Sequence, residues 1–128
     1  MRFLLDTCTL IWWTEDSDDL SVRAREVLGA RSHEFALSVV SMWEIANKMA
    51  SGKLPAKDPL AEWAEAVIDN YGFELLPIDL HAVAQVSRLP LLHKDPFDRM
   101  LVAQAMVQGL VLLTPDKEIR QYPTRTYW

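Results

Sequence analysis

Asp6, Glu44, Asp98 and Asp116 lie far apart in the chain but hold equivalent places in its pattern. Asp6 closes RFLLD, Glu44 stands just beyond FALSVVS, Asp98 lies in KDPFDRM and Asp116 follows LVLLT. If the apolar runs are parallel strands, their carboxyl ends share one edge of a sheet, where open α/β sheets bind ligands. The four acids then meet in space. Converging carboxylates repel and lose hydration, so they usually persist only with a compensating cation or proton. Ligand sets made of carboxylates without His or Cys select Mg2+ or Mn2+ over zinc. The chemistry that fits is phosphodiester hydrolysis, with the metal acidifying a water and neutralising charge in the transition state.

Each acid also has an ordinary role open to it. Asp6 can cap the short helix after the first strand. Glu44 can complete a capping box with Ser41 and pair with Lys48 four residues on. Asp95, ahead of Pro96, reads as a helix cap that is structural or supports the ligands from behind, and Asp116 can shape a turn after Pro115. Asp98 is harder to dismiss. Leu101, Val102 and Ala105 share its helical face, so an acid heads an apolar stripe at the edge of the core. One shared site explains four such acids better than four separate accidents do. His33, His81 and His93 are scattered and read as structural or surface residues, His93 being nearest the site and able to touch substrate. Cys8 reads as a small packed residue. Neither a Ser/His/Asp nucleophile set nor a glycine-rich phosphate loop is evident.

The elements that must position these residues follow from periodicity and punctuation. A strand at about 2–5 leads into a short helix through TLIWW, and a second helix runs from about Leu20 to Leu28. EFALS is a strand, and Ser41 caps the helix that follows. Met42, Ile45, Ala46 and Met49 form the apolar stripe of that helix, and Glu44, Asn47, Lys48 and Ser51 the polar one. Asp58-Pro59 starts a helix that stops at Gly72, FELLP is a strand, and Asp79 caps a helix through DLHAVAQVSRL. Asp95-Pro96 opens the most apolar helix, ending at Gly109; LVLLT is a strand, PDKEIRQY a short helix and RTYW a last edge strand. Strands alternating with helices predict a three-layer α/β/α sandwich around a central, mainly parallel sheet, as one domain over 1–128.

Composition bounds the function. A chain of 128 residues, 50% hydrophobic and 24% charged, is a globular domain large enough to need no staples. The apolar segments are too short for a transmembrane span, and the opening residues do not resemble a signal peptide. A lone cysteine excludes a disulfide framework and a cysteine-rich zinc site. A cytoplasmic location is the expectation. The net charge of −5 at first opposes a nucleic-acid partner, but the four site acids carry most of it. Lys48, Lys94, Arg99, Lys117 and Arg120 lie beside those acids in sequence, so charge leaves nucleic acid open. Trp63 belongs to the core. Trp12, Trp13 and Trp43 either close the core around the first strand or line a groove for a partner helix. Trp128 is docked on the edge strand or forms a dimer contact.

MRFLLDTCTLIWW, SVVSMWEIANKMASGKL, LPLLHKDPFDRMLVAQA and LLTPDKEIRQYPTRTYW resemble, in order, the motifs of PIN-domain ribonucleases, most closely the VapC-type toxins of prokaryotic toxin–antitoxin pairs. The likeness covers nearly the whole chain, and DPFDRMLVAQA is its most specific part. It implies a Mg2+- or Mn2+-dependent endoribonuclease with Asp6, Glu44, Asp98 and Asp116 as catalytic metal ligands and Thr114 as a hydroxyl ligand or orienter. It also implies an RNA substrate, a homodimer and a cognate antitoxin protein. Relatives often carry His where this chain has Cys8, and Asp116 occupies the family's least uniform position.

Two other classes compete. A receiver-like signalling domain also gathers acids and Mg2+ at a sheet edge, but VVSMWE offers no phosphoacceptor Asp and LLTPD has an acid where Lys is needed. A non-catalytic domain that binds RNA or a partner chain is separated from the nuclease by an assay with and without EDTA. An aspartate-nucleophile phosphatase needs an acid where Cys8 stands.

Overall fold

A computed structural model describes residues 1–57 and 59–128. Its strands are β1 (Arg2–Leu5), β2 (Glu34–Ser38), β3 (Glu74–Leu76), β4 (Val111–Leu113) and β5 (Thr126–Tyr127). They form one sheet in the order β3-β2-β1-β4-β5, and every neighbouring pair is parallel. The helices are α1 (Thr7–Thr14), α2 (Val22–Gly29), α3 (Val39–Ala50), α4 (Leu60–Tyr71), α5 (Leu80–Val86) and α6 (Pro96–Gln108). PDKEIRQY contributes only a 3-10 turn at Ile119–Gln121.

Alternation along the strands builds the three layers. Phe3, Leu5, Phe35, Leu37, Val111 and Leu113 face α1, α2 and α4, while Leu4, Ala36 and Leu112 face α6 and the 3-10 turn. Because helices cover both faces, the strands are apolar on both sides, as parallel strands usually are. Leu4, Leu37, Leu101 and Leu112 are wholly buried, each contributing about 1.5–3 kcal/mol relative to an exposed side chain. Gly72 and Gly109, at φ 68° and 66°, end α4 and α6 in the left-handed conformation that a Cβ disfavours.

Chain order decides where a site can form. From β1 the chain moves outward through β2 to β3, then returns to lay β4 on the other side of β1. The crossover directions diverge beside β1, and a crevice opens at its carboxyl end. Asp6 follows β1 immediately and Thr114 follows β4. α3 leaves the end of β2 and touches both α1 and α6, so it walls the same edge.

One local expectation changes. Ser38, not Ser41, is the N-cap of α3, its hydroxyl accepting from Val40 N–H. Strand β2 therefore passes into helix without a loop. Ser41 lies inside the helix, fully buried, and accepts from the Thr7 hydroxyl at 3.1 Å. The capping box that offered Glu44 a structural role does not form. The Asp58 cap lies outside the described residues; α4 begins after Pro59 without a side-chain cap. The remaining expected caps are in place: Asp6 on α1, Asp79 on α5 and Asp95 on α6. Among the described residues no helix is long and apolar enough to cross a membrane.

Candidate active site

A cleft of about 200 Å³ at the carboxyl edge is lined by Asp6, Thr7, Cys8, Glu44, Lys48, Asp95, Asp98 and Asp116. All four predicted acids share it, together with Asp95. They do so in different ways.

Asp6 is buried, and both its oxygens are held. Oδ1 accepts from Thr9 N–H at 2.8 Å and from the Cys8 thiol at 3.3 Å, and Oδ2 accepts from the Thr114 hydroxyl. The cap role and a place in the cleft thus coexist. Burial raises its pKa, with the hydrogen bonds from Thr114 and Thr9 opposing. Thr114, wholly buried, also accepts from Asp116 N–H at 3.0 Å, so its hydroxyl orients Asp6 and the turn after β4 together. Cys8 is more than packing. Burial and the nearby Asp6 and Asp98 charges push its thiol pKa upward, keeping it a neutral donor to Asp6.

Glu44 projects from α3 into the same space, 5% exposed. Its Oε2 pairs with Lys48 Nζ at 3.0 Å, and its Oε1 is buried without a hydrogen-bond partner among the described residues. A carboxyl oxygen stranded out of water is costly and asks for a partner. Burial works against the Lys48 charge, but the hydrogen bond and charge of Glu44 outweigh it and raise the Lys48 pKa.

Asp98 stands at the first turn of α6, behind Asp95, whose carboxylate accepts from Phe97 N–H and Asp98 N–H. Burial, then Asp95, Glu44 and Asp6, lift its pKa to about 7, and His93 opposes them. Those neighbours come from β1, α3 and α6, which is the convergence the pattern predicts. The tightest cluster nevertheless differs from the expected one. Among the described residues, the group whose ligand atoms all lie within 4.8 Å of one another is His93, Asp98 and Asp116, without Asp6 or Glu44.

His93 is the residue that sequence reasoning underrated. It is buried, and its Nε2 lies 3.0 Å from Asp98 Oδ2 and 3.1 Å from Asp116 Oδ2. Its pKa is raised: burial disfavours the cation, but Asp116, Asp98 and Glu118 more than compensate. The signal was present in HKDPFD, where a histidine and two acids fall within six residues. Asp116 Oδ1, in turn, accepts from Glu118 N–H and Ile119 N–H, so the turn reading is also correct for that residue. Arg99, counted from sequence among the bases beside the site, serves the scaffold. Its guanidinium donates to the carbonyls of Val86, Leu89 and Pro90 and to the Tyr122 hydroxyl, which itself accepts from Leu92 N–H and His93 N–H. That clamp fixes the loop carrying His93. Lys94, Lys117 and Arg120 are exposed around it.

The tryptophans divide as well. Trp12 packs on Trp128, docking the terminus against the core, and Trp13 and Trp63 pack on the same cluster. Trp43 is 57% exposed, edge-on to Phe97.

The arrangement suits a divalent cation: several hard oxygen donors converge, one is buried without a partner among the described residues, and burial raises the pKa of Asp6 and Asp98. Comparison with known proteins agrees with the geometry. The PIN domain family model matches residues 3–124, and the chain belongs to that family. PIN nucleases are generally dependent on divalent metal ions. Ribonuclease VapC22 of Mycobacterium tuberculosis (strain ATCC 25618 / H37Rv) is 26% identical over 121 residues, covering 93% of this chain and 90% of that protein. Among solved structures, VapBC2 from Rickettsia felis bound to a DNA fragment from their promoter aligns with a TM-score of 0.75 at 15% identity, covering 100% of this chain and 99% of that one. FitAcB from Neisseria gonorrhoeae aligns with a TM-score of 0.67 at 15% identity, covering 98% of this chain and 96% of that one. These likenesses extend to the whole fold. Family membership removes the receiver-like alternative.

Proposed function

We propose that this chain is an endoribonuclease dependent on Mg2+ or Mn2+ and the toxin of a type II toxin–antitoxin pair, working as one nuclease domain over residues 1–128. Membership in the PIN family, a relative named as a ribonuclease and fold neighbours solved as VapBC and FitAcB support this reading. The observation that carries it is Glu44, an almost fully buried carboxylate with one oxygen unpartnered inside a cleft shared with three other acids. A structural ion pair with Lys48 explains one oxygen of Glu44 and leaves the other without a purpose.

Asp6, Glu44 and Asp98 are the proposed ligands, with Asp116 completing the acidic rim. When bound, the ion supplies charge neutralisation at a phosphodiester and an acidified water. The chain's residues do the rest. Thr114 and Thr9 hold the Asp6 carboxylate in one orientation, and Asp95 fixes the first turn of α6 so that Asp98 faces the cleft. Lys48 balances Glu44 and stands where a substrate phosphate would approach. An adjoining cavity of about 360 Å³, lined by Asn47, Lys48, Lys53 and Phe97 with Glu44 and Asp95, offers cations for phosphates and an aromatic face for a base. RNA is the substrate that this groove and the family reading together favour. A cognate antitoxin protein, a homodimeric state and a cytoplasmic location complete the proposal.

The test is cleavage of RNA by the wild-type chain and Asp98→Asn, each with Mn2+ or Mg2+ and with EDTA. The wild type should cleave only with metal, and Asp98→Asn should lose at least about a hundredfold in rate while remaining folded, as its circular dichroism at the assay temperature would show. Cleavage that survives EDTA, or an active Asp98→Asn, rejects the metal mechanism. Binding of RNA without cleavage under any metal favours the non-catalytic alternative.

A further inference from the structure

His93 occupies the position between Asp98 and Asp116 where a second cation would otherwise be required, and its hydrogen-bonding settles how it can act there. Asp95 N–H donates to Nδ1 at 3.1 Å, so in the neutral ring Nδ1 holds the lone pair and Nε2 carries the hydrogen. In the imidazolium both nitrogens carry hydrogen. In either form Nε2 presents N–H, not a lone pair: it hydrogen-bonds Asp116 Oδ2 at 3.1 Å, and Asp98 Oδ2 lies 3.0 Å from the same nitrogen as a charge contact. Glu118 Oε2 also lies 3.1 Å from Nδ1, but that side chain is 57% exposed, and it is the Asp95 N–H that meets hydrogen-bond directionality. The ring is not free to turn away. His93 N–H is bound to the Tyr122 hydroxyl, and Arg99 braces that hydroxyl and the loop carbonyls.

We propose that the His93 imidazole is a built-in substitute for a second metal ion: its ring stands between Asp98 and Asp116, bonded to Asp116 and in charge contact with Asp98, so the cleft takes one divalent cation, on the Asp6, Glu44 and Asp98 side. The proposal rests on reading the cleft as a divalent-metal site. It makes His93 a positioning residue, and it explains why Asp116 is drawn away from Asp6 and Glu44 into the tighter cluster with His93. Removing the imidazole leaves two facing carboxylates with nothing between them. Such a gap attracts a hard cation.

The experiment counts bound Mn2+ on the purified full chain by equilibrium dialysis, with the free-Mn2+ electron paramagnetic resonance signal as an independent count. The wild type should bind one ion, His93→Ala two, and His93→Ala combined with Asp116→Asn one again. His93→Gln, which keeps an N–H donor in the gap, should bind one. Two ions on the wild type, or one on His93→Ala, overturns the proposal while leaving the metal site itself intact. No Mn2+ on any variant defeats the underlying metal reading instead. If His93→Ala does not fold, long-range proton–nitrogen correlation spectra of the wild type with Mg2+ decide. A protonated Nε2 with a lone pair on Nδ1 supports the substitute role, and the opposite tautomer makes His93 a ligand and overturns it.

Discussion

At the amino edge of the sheet, Arg2 on β1 reaches Glu34 on β2 at 3.4 Å and Glu74 on β3 at 3.3 Å, and all three side chains are largely in water. At the carboxyl edge of the same strands, Asp6 and Glu44 are buried and Asp98 is half-buried, with Lys48 and His93 as the basic partners of these acids among the described residues. The backbone is the same; the solvation is not. Exposed charges cost little whether paired or unpaired, because water screens them. Buried charges of one sign raise each other's proton affinity and leave oxygens stranded, an arrangement a protein retains only where the strain has a use. Comparing the two ends teaches that charge count alone does not mark a site. Excess of one sign, combined with desolvation, does.

The comparison can be broken most forcefully by pH. Asp98 has a folded pKa raised from 3.8 to about 7, so its protonated form is favoured in the folded state. Its contribution to stability is fully present below the unfolded value and is lost as pH rises through about 7. Asp6 and His93 are raised as well and act in the same direction. In EDTA the protein should therefore be less stable at pH 8 than at pH 5 by roughly a few kcal/mol, melting at a clearly lower temperature, and Asp98→Asn should flatten much of that slope. Calorimetric melts of the two proteins across this range provide the measurement, and a wild-type profile that rises toward pH 8 contradicts the charge-crowding account.

A somewhat smaller effect sharpens the same contrast. Mn2+ at a hundred times its dissociation constant should stabilise the wild type by about 2.7 kcal/mol through mass action. The gain should grow from pH 6 to pH 8, since the ion competes with protons for Asp98. Thermal shift titrations at the two pH values check it, and a gain that shrinks toward pH 8 argues against carboxylate ligands. The smallest effect belongs to the other end of the sheet. Arg2→Ala breaks two exposed pairs and should change stability by less than about 1 kcal/mol, with no change in RNA cleavage. Denaturant unfolding and the nuclease assay read this directly; a loss comparable to that of a cleft mutation would erase the distinction between the two edges.

How far the sequence could be read depended on the range of the interactions concerned. Strands, helix caps and the left-handed glycine stops are local features, encoded within a few residues. They were legible, as Asp79, Asp95, Gly72 and Gly109 illustrate. Asp98 could be singled out because one helical turn joins it to Leu101, Val102 and Ala105. Ser41 misled because a serine three residues ahead of a glutamate fits a capping box, whereas β2 runs directly into α3 at Ser38 and carries Ser41 into the interior. Arg99 shows another limit: it counts among the bases beside the acids in sequence, but the carbonyls of the preceding loop take up its donors.

By itself, the order of apolar runs, caps and acids determined that the chain alternates strand and helix and that its carboxylates lie on one edge, because both are matters of period and spacing along the chain. Only the tertiary structure decided which acid oxygens are satisfied and which are stranded. Glu44 Oε1 is left without a partner among the described residues because α3 walls the cleft, and His93 is set between Asp98 and Asp116 because Tyr122, distant in sequence and braced by Arg99, holds its loop in place. Burial and hydrogen-bond direction arise from packing among remote segments, and no local pattern carries them.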